Sequence, residues 1–177
     1  MLVSLITQTE DLTIREFQHS DLQVLAQILA KPEVMQFSLD GVLSTEQTAA
    51  KIQIFIDSYH ENGYGKWAVI HRQSGRLIGY CGIALEEIEG NLENELGYRL
   101  DSEFWGQGLA TQAANACLKY AFTKLNLDYI LGIVEPENHA SIRILAKIGM
   151  KFIKKSIWCG KVVCVYKAIH NPELVLS

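Results

Sequence analysis

The stretch Glu95-Leu-Gly-Tyr-Arg-Leu-Asp-Ser-Glu-Phe-Trp-Gly-Gln-Gly-Leu-Ala-Thr-Gln112 constrains the fold most: a strand-like run feeds a glycine-bearing turn, and the turn opens a long helix. Gly106 and Gly108 let the backbone approach a ligand without Cβ interference, and a helix opening near Leu109 starts with N–H groups that lack intrahelical partners. Those groups sit at the positive end of the helix dipole and suit a phosphate or pyrophosphate. Leu109, Ala110, Ala113, Ala114, Cys117, Leu118, Ala121, Phe122 and Leu125 fall on one face and set the core side of that helix.

Elements on either side fit an α/β (α+β) chain. Leu12 to Phe17 alternates as a strand, Ser20 or Asp21 caps a helix carrying Leu22, Val24, Leu25, Ile28 and Leu29, and Pro32 marks its end. Ser44 with Gln47 is a capping box before Ile52, Phe55, Ile56 and Tyr59 at helical spacing. Lys66 to His71 and Arg76 to Ala84 flank a turn at Arg72-Gln-Ser-Gly75, and Glu95 to Leu100 follows a polar, Glu-rich stretch from Glu86 to Asn94 that reads as a solvated loop. Strands in hairpin succession imply an antiparallel sheet. Asp128 to Val134 reads as a buried strand, Ile142, Leu145 and Ile148 as the inner side of a short helix ended by Gly149, and Phe152 to Trp158 with Val162 to Ala168 as a last hairpin. The tail from His170 reads as frayed.

At 177 residues, with no internal repeat or linker, the chain is expected to be one domain, 1–177, with its core at about 12–168. A net charge of -4 argues against a nucleic-acid binder, which needs a basic face, and fits a cationic substrate better. No run approaches membrane-spanning length, and the start, Met1 to Thr7, is apolar but without a basic leader. The four cysteines, Cys81, Cys117, Cys159 and Cys164, lie in apolar runs and read as buried free thiols, which implies a reducing, cytoplasmic setting. Neither they nor His19, His60, His71, His139 and His170 have metal-ligand spacing.

A Gly-x-Gly alone is weak. A dinucleotide fingerprint wants its glycines right after a buried parallel strand, a P-loop wants Gly-Lys-Ser/Thr, and neither is present. A second motif adds specificity: Glu135-Pro-Glu-Asn-His-Ala-Ser-Ile-Arg-Ile-Leu-Ala-Lys-Ile-Gly-Met150. Together, in this order and spacing, the two stretches resemble the acetyl-coenzyme A site of the GNAT superfamily of N-acetyltransferases. Tyr98-Arg-Leu-Asp-Ser-Glu-Phe-Trp-Gly-Gln-Gly-Leu-Ala-Thr looks like the branch with the RimJ/RimL-type ribosomal-protein enzymes. The resemblance implies a central, mostly antiparallel mixed sheet of about seven strands with helices on both faces, splayed between the Glu95 and Asp128 strands. It also implies acetyl-CoA as cosubstrate, with no metal, and a monomer or homodimer.

Carried over residue by residue, the family's Gln/Arg-x-x-Gly-x-Gly/Ala loop puts Gly108 and Ala110 on its last two positions and Trp105 on its first. The resemblance then implies that backbone N–H groups of Gly106, Gln107, Gly108, Leu109, Ala110 and Thr111 hold the pyrophosphate. The edge of the strand at Leu96, Tyr98 and Leu100 would meet the pantetheine arm, and Asn138 would bond that arm or cap its own helix.

Acetyl transfer to an amine needs a base for the ammonium proton, an acid for the leaving thiolate and no covalent intermediate. Similar proteins are often acidic at the position of Glu95, which makes it the candidate base, with Glu93 as runner-up on the same strand face; a solvated glutamate at the strand entry is the competing reading. The common general-acid tyrosine is replaced by Leu145, and Ser141, one turn earlier, is the substitute, its competing reading being a polar residue in a first helical turn. Trp67, Tyr98 and Trp158 are candidates for an acceptor groove, with core the preferred reading of Trp67. The implied reaction is acetyl transfer from acetyl-CoA to a primary amine, first of all a protein or peptide N-terminal α-amine. The alternatives are a small-molecule amine (polyamine, aminoglycoside or amino-acid-like) and a non-catalytic acetyl-CoA-binding module of the same fold.

Overall fold

The computed structural model describes residues 4–171. One mixed sheet runs through them in the order β1-β2-β3-β4-β5-β6-β8-β7. Its strands are β1 (Leu5–Gln8), β2 (Leu12–Arg15), β3 (Lys66–His71), β4 (Leu77–Ile88), β5 (Asn91–Leu100), β6 (Tyr129–Val134), β7 (Lys151–Trp158) and β8 (Lys161–Ile169). Helices α1 (Leu22–Leu29), α2 (Pro32–Met35), α3 (Thr45–Asn62), α4 (Leu109–Thr123) and α5 (His139–Lys147) cover it. The seven strands expected from the sequence are present, and β1 adds an eighth, in the stretch that the sequence left without an element.

Strand alternation divides the core. Trp67, Val69, Cys81, Ile83, Leu96 and Leu100 point to the face covered by α4, where Ala113, Ala114 and Cys117 allow close approach. Ala68 and Tyr80, one residue out of phase, point to the opposite face and pack with Leu25, Leu29, Ile52 and Phe55 of α1 and α3. The capping box of α3 forms as its residues dictate: Ser44 Oγ accepts from Gln47 N–H at 3.2 Å and Gln47 Oε1 accepts from Ser44 N–H at 2.8 Å. Asp21 does not cap α1 with its side chain. Instead Arg15 donates two bonds to it at 2.8 Å, which compensates its burial. Pro32 occupies the first turn of α2 rather than closing a chain segment, since a missing N–H costs nothing there.

The sheet opens between β5 and β6. β5 pairs with β4 along its whole length, but its parallel register with β6 holds only at Glu95 opposite Leu131. A single pairing cannot keep two twisting strands together, so the backbone edge of β5 beyond Glu95 is left free.

The Glu-rich stretch is not a loop. β4 and β5 continue through it as a hairpin arm that turns at Glu89 and Gly90, with φ of 52° and 79°, the positive pair a tight two-residue turn requires. Ile88 anchors the arm by packing with Leu131, Val163 and Val165, a burial that contributes about 2 kcal/mol. Glu89 bonds Lys154 Nζ at 2.5 Å and Ser156 Oγ at 2.6 Å, while Trp158 Nε1–H donates to the Glu87 carbonyl at 3.2 Å. The arm thus crosses from the β4–β5 half of the sheet to the β7–β8 half.

Two smaller expectations change. Cys81, Cys117 and Cys164 are buried free thiols, but Cys159 is exposed, in the β7–β8 turn. His170 is not frayed: its N–H bonds Asp128 O at 2.8 Å and its ring stacks on Phe122 at 5.2 Å; residues 172–177 of that tail lie outside the described residues.

Candidate active site

A cavity of about 1210 Å³ follows the opening between β5 and β6. Gly106, Gly108 and Ala110 line one part of it, Tyr98 and Ser141 another, and Lys66, Glu86 and Glu95 a third.

The glycine turn is built from a buried anchor. Asp101, 4% exposed, donates its N–H to Ile78 O at 2.7 Å, accepts from Lys31 Nζ at 2.6 Å and caps the 3-10 turn Ser102–Phe104 through Glu103 N–H at 3.2 Å. Phe104 is buried after it, whereas Trp105 is half-exposed and gives its indole N–H to Leu100 O at 2.9 Å. Gly106 and Gly108 have φ of 76° and 77°, which only glycine adopts at little cost, and a Cβ at either would meet nothing within 4 Å. The first α4 bond runs from Gln112 N–H to Gly108 O at 3.0 Å. Among the described residues, no acceptor meets the N–H groups from Gly106 through Thr111. That row of unmet donors at a helix start fits a pyrophosphate.

The phase of β5 sets which groups face the opening. Asp101 N–H turns toward β4, so the odd-numbered residues bond that strand; the Leu96 N–H serves the one pairing with β6, and the Leu96 C=O with the N–H and C=O groups of Tyr98 and Leu100 turn to the free edge. The Leu100 carbonyl is taken by Trp105; the side chains of Leu96 and Leu100 are core. The other backbone groups can pair with an extended amide-bearing ligand.

Ser141 and Tyr98 meet across the cleft. Tyr98 Oη lies 2.8 Å from Ser141 Oγ and 3.3 Å from Ser141 O, and burial holds the phenol well above its usual range and therefore protonated. Asn138 caps α5, its Oδ1 accepting from Ser141 N–H at 3.2 Å, which leaves its amide nitrogen for other partners. Leu145 is 2% exposed and packs on β6, where a Cβ on Gly132 would lie 3.0 Å from Leu145 Cδ2. A hydroxyl pair reaches this part of the cleft from β5 and the first turn of α5, and the position of the missing tyrosine is core. Counting motif positions within α5 could not have found Tyr98 as the partner.

On the other face of β5, Glu95 Oε2 accepts from Lys66 Nζ at 2.8 Å, with side-chain exposures of 14% and 9%. The solvated reading of Glu95 is thereby excluded. The same Nζ reaches Gly82 O at 3.2 Å and Glu95 O at 3.3 Å, so one buried ammonium ties three strands. Glu93 accepts from Tyr129 Oη at 2.6 Å and belongs to the arm's anchorage. Glu86, opposite Glu93 in the hairpin, is half-buried in the cleft wall; burial first, then the charge of Glu95, raises its carboxyl above the usual range. Of the aromatics, Tyr98 and Trp158 line the cavity, while Trp67 is 1% exposed and packs on Tyr120. Among the described residues no group of His, Cys, Asp and Glu has metal-binding geometry, and no helix is long and apolar enough to cross a membrane.

The chain matches the acetyltransferase (GNAT) domain family over residues 11–151. It is 33% identical over 144 residues to the uncharacterized N-acetyltransferase p20 of Bacillus licheniformis, covering 81% of this chain and 80% of that one. A GNAT-family acetyltransferase from Bacillus anthracis superposes with a TM-score of 0.76 at 25% identity, over 96% of this chain and 98% of that one. RimL, a ribosomal L7/L12 α-N-protein acetyltransferase solved with coenzyme A, shares the fold with a TM-score of 0.78 at 22% identity, over 94% and 98% of the two chains. A sheet opened beside a glycine turn, together with these matches, identifies the chain as a member of the GNAT family of N-acetyltransferases.

Proposed function

We propose that this enzyme transfers the acetyl group of acetyl-CoA to a primary amine, first of all the α-amine of a protein or peptide N-terminus, by direct attack within a ternary complex. The observation that carries this is a continuous cleft with an unmet N–H row at one part and carboxylates at another. The α-N-protein activity named for RimL, whose fold the chain shares, supports the choice of acceptor. We also take the chain to work as one domain in a cytoplasmic setting, in keeping with its buried free thiols.

The bound donor supplies an activated acetyl carbonyl. The N–H groups from Gly106 to Thr111 bind its pyrophosphate, and the free edge of β5 at Leu96 and Tyr98 aligns its amide arm, with Asn138 as a further partner. Glu95, fixed by Lys66, braces that face of the cleft, where a carboxylate takes the proton of the acceptor ammonium. The freed nitrogen bonds to the carbonyl carbon as the carbon–sulfur bond breaks. The Tyr98–Ser141 hydroxyl pair hands a proton to the departing sulfur and is reloaded, through solvent, by the surplus proton that leaves the nitrogen.

A small-molecule polyamine is the second reading, favoured by Asp57, Glu61 and Glu86 in the lining of the cleft. Calorimetric titration with acetyl-CoA, then thiol release with N-terminal peptides, spermidine and an aminoglycoside, tests both. Binding with turnover of peptides alone supports the first reading, turnover of spermidine the second. Binding without thiol release for any acceptor would leave only a non-catalytic acetyl-CoA module.

A further inference from the structure

Three carboxylates, Glu86, Glu93 and Glu95, share one face of the β4–β5 hairpin, and they are not equivalent. Register places Glu86 opposite Glu93 and Ala84 opposite Glu95, so Glu86 and Glu95 are diagonal neighbours whose side chains leave the sheet on one side. Glu95 is engaged: it forms the buried pair with Lys66 that ties β3, β4 and β5 together. Glu93 is engaged with Tyr129. Among the described residues Glu86 has no hydrogen-bond or ion-pair partner, although it lies half-buried in the cleft wall. Its carboxylate oxygens stay accessible from the cleft, so they are free to meet a cation that enters it.

We propose that Glu86, at the root of the hairpin arm, is the group that meets the acceptor ammonium and takes its proton, while Glu95 is a positioning residue that holds Lys66 and the floor of the cleft. This assignment rests on the amine-acetyltransferase reading and specifies its base. The step balances: one N–H bond of the ammonium breaks, one O–H bond forms on Glu86, and the nitrogen lone pair is released toward the thioester carbon. After product leaves, Glu86 gives the proton to solvent through the open mouth.

The surroundings suit that duty. Glu95 from β5 and burial favour the protonated form of Glu86, while Lys66 from β3 and Lys51 from α3 favour the charged one, burial being the largest influence. A carboxylate with raised proton affinity is a stronger base than a solvated one. The arm itself is held by Ile88 and by Glu89 with Lys154 and Ser156, so Glu86 stands on a braced hairpin.

The test uses the full chain and the variants Glu86→Gln, Glu86→Asp and Glu95→Gln. With an acceptor from the peptide and spermidine panel, Glu86→Gln is expected to lower kcat/KM by about 100-fold or more. It should also abolish the acid limb of the pH profile and leave the acetyl-CoA dissociation constant unchanged. Glu86→Asp should keep the limb at reduced rate. Glu95→Gln should keep the limb too and show its main loss in thermal stability. A Glu86→Gln enzyme with near-wild-type turnover and an intact acid limb overturns the proposal. Carbon-13 titration of the Glu86 carboxyl, with spermidine added as an amine probe beside coenzyme A, decides the matter independently of turnover. The expected result is a midpoint above the ordinary carboxylate range and a shift on adding amine. An ordinary midpoint with no response overturns the proposal even where acetylation is observed. Wild-type protein that acetylates nothing in the panel counts against the acceptor reading, and the carboxyl titration still judges Glu86.

Discussion

Tyr98 and Ser141, 43 positions apart in sequence, meet with their hydroxyl oxygens 2.8 Å apart where β5 and α5 face each other across the opened sheet. If the pair passes a proton as a unit, Tyr98→Phe and Ser141→Ala each lower kcat by about 100-fold, and the double variant is hardly worse than either single one. Steady-state kinetics on the four proteins of the cycle, with acetyl-CoA affinity measured alongside, checks this; additive losses would mean that the two act separately.

Leu145 cannot be turned back into the family's tyrosine. Its side chain fills the space over Gly132, where a single added carbon already comes within 3.0 Å. Leu145→Tyr is expected to cost about 1–3 kcal/mol through overpacking and to bring no gain in kcat. Urea unfolding and a rate assay on the same preparation measure both.

Lys66 and Glu95 lose their balance when only one is changed. Lys66→Met leaves a largely buried carboxylate without its cation and is expected to lose about 3–5 kcal/mol, while Lys66→Met combined with Glu95→Leu recovers much of it. Chemical denaturation of the two variants distinguishes a structural pair from a dispensable surface contact.

Gly108 tests the cradle. In Gly108→Ala the new Cβ meets open space, so the cost comes from the φ of 77°, about 1 kcal/mol or more, and falls on the loop that presents the N–H groups. Acetyl-CoA binding should weaken about 10-fold, since about 1.4 kcal/mol corresponds to a factor of ten. Calorimetry would reveal an unchanged affinity if the loop did not contact the donor.

Stability should depend on pH through Glu86 in a definite direction. Its folded-state carboxyl is raised, so its contribution to stability is fully present below the unfolded value and is lost as pH rises through the folded one. Glu86→Gln is therefore expected to be more stable than wild type near neutral pH, by no more than about 1 kcal/mol given solvent screening, and the advantage should vanish below about pH 4. Thermal melts from pH 3.5 to 8, about 4 °C apart at most by this size of effect, check the sign.

The order of elements, the capping box at Ser44 and Gln47, the core face of α4 and the glycine cradle follow from local properties: periodicity, side-chain oxygens near free N–H groups, and residues tolerant of positive φ. Those properties act within a few positions, so the chain displays them directly. The Glu86 to Asn94 stretch was misjudged for the complementary reason. Its glutamates look solvated in isolation, and only Ile88 against Leu131, Val163 and Val165, with Glu89 against Lys154 and Ser156, makes them a strand pair. The same holds for the site. Glu95 and Ser141 could be singled out by position, but Lys66 beside Glu95, Tyr98 beside Ser141 and the unpartnered Glu86 depend on which strands open and which face each residue takes. By itself, then, the sequence determined the fold type and the glycine turn with its row of unmet N–H groups, because both rest on short-range backbone chemistry. Tertiary structure decided which acidic and hydroxyl groups share the cleft, because pairing and burial of charge exist only once distant strands meet.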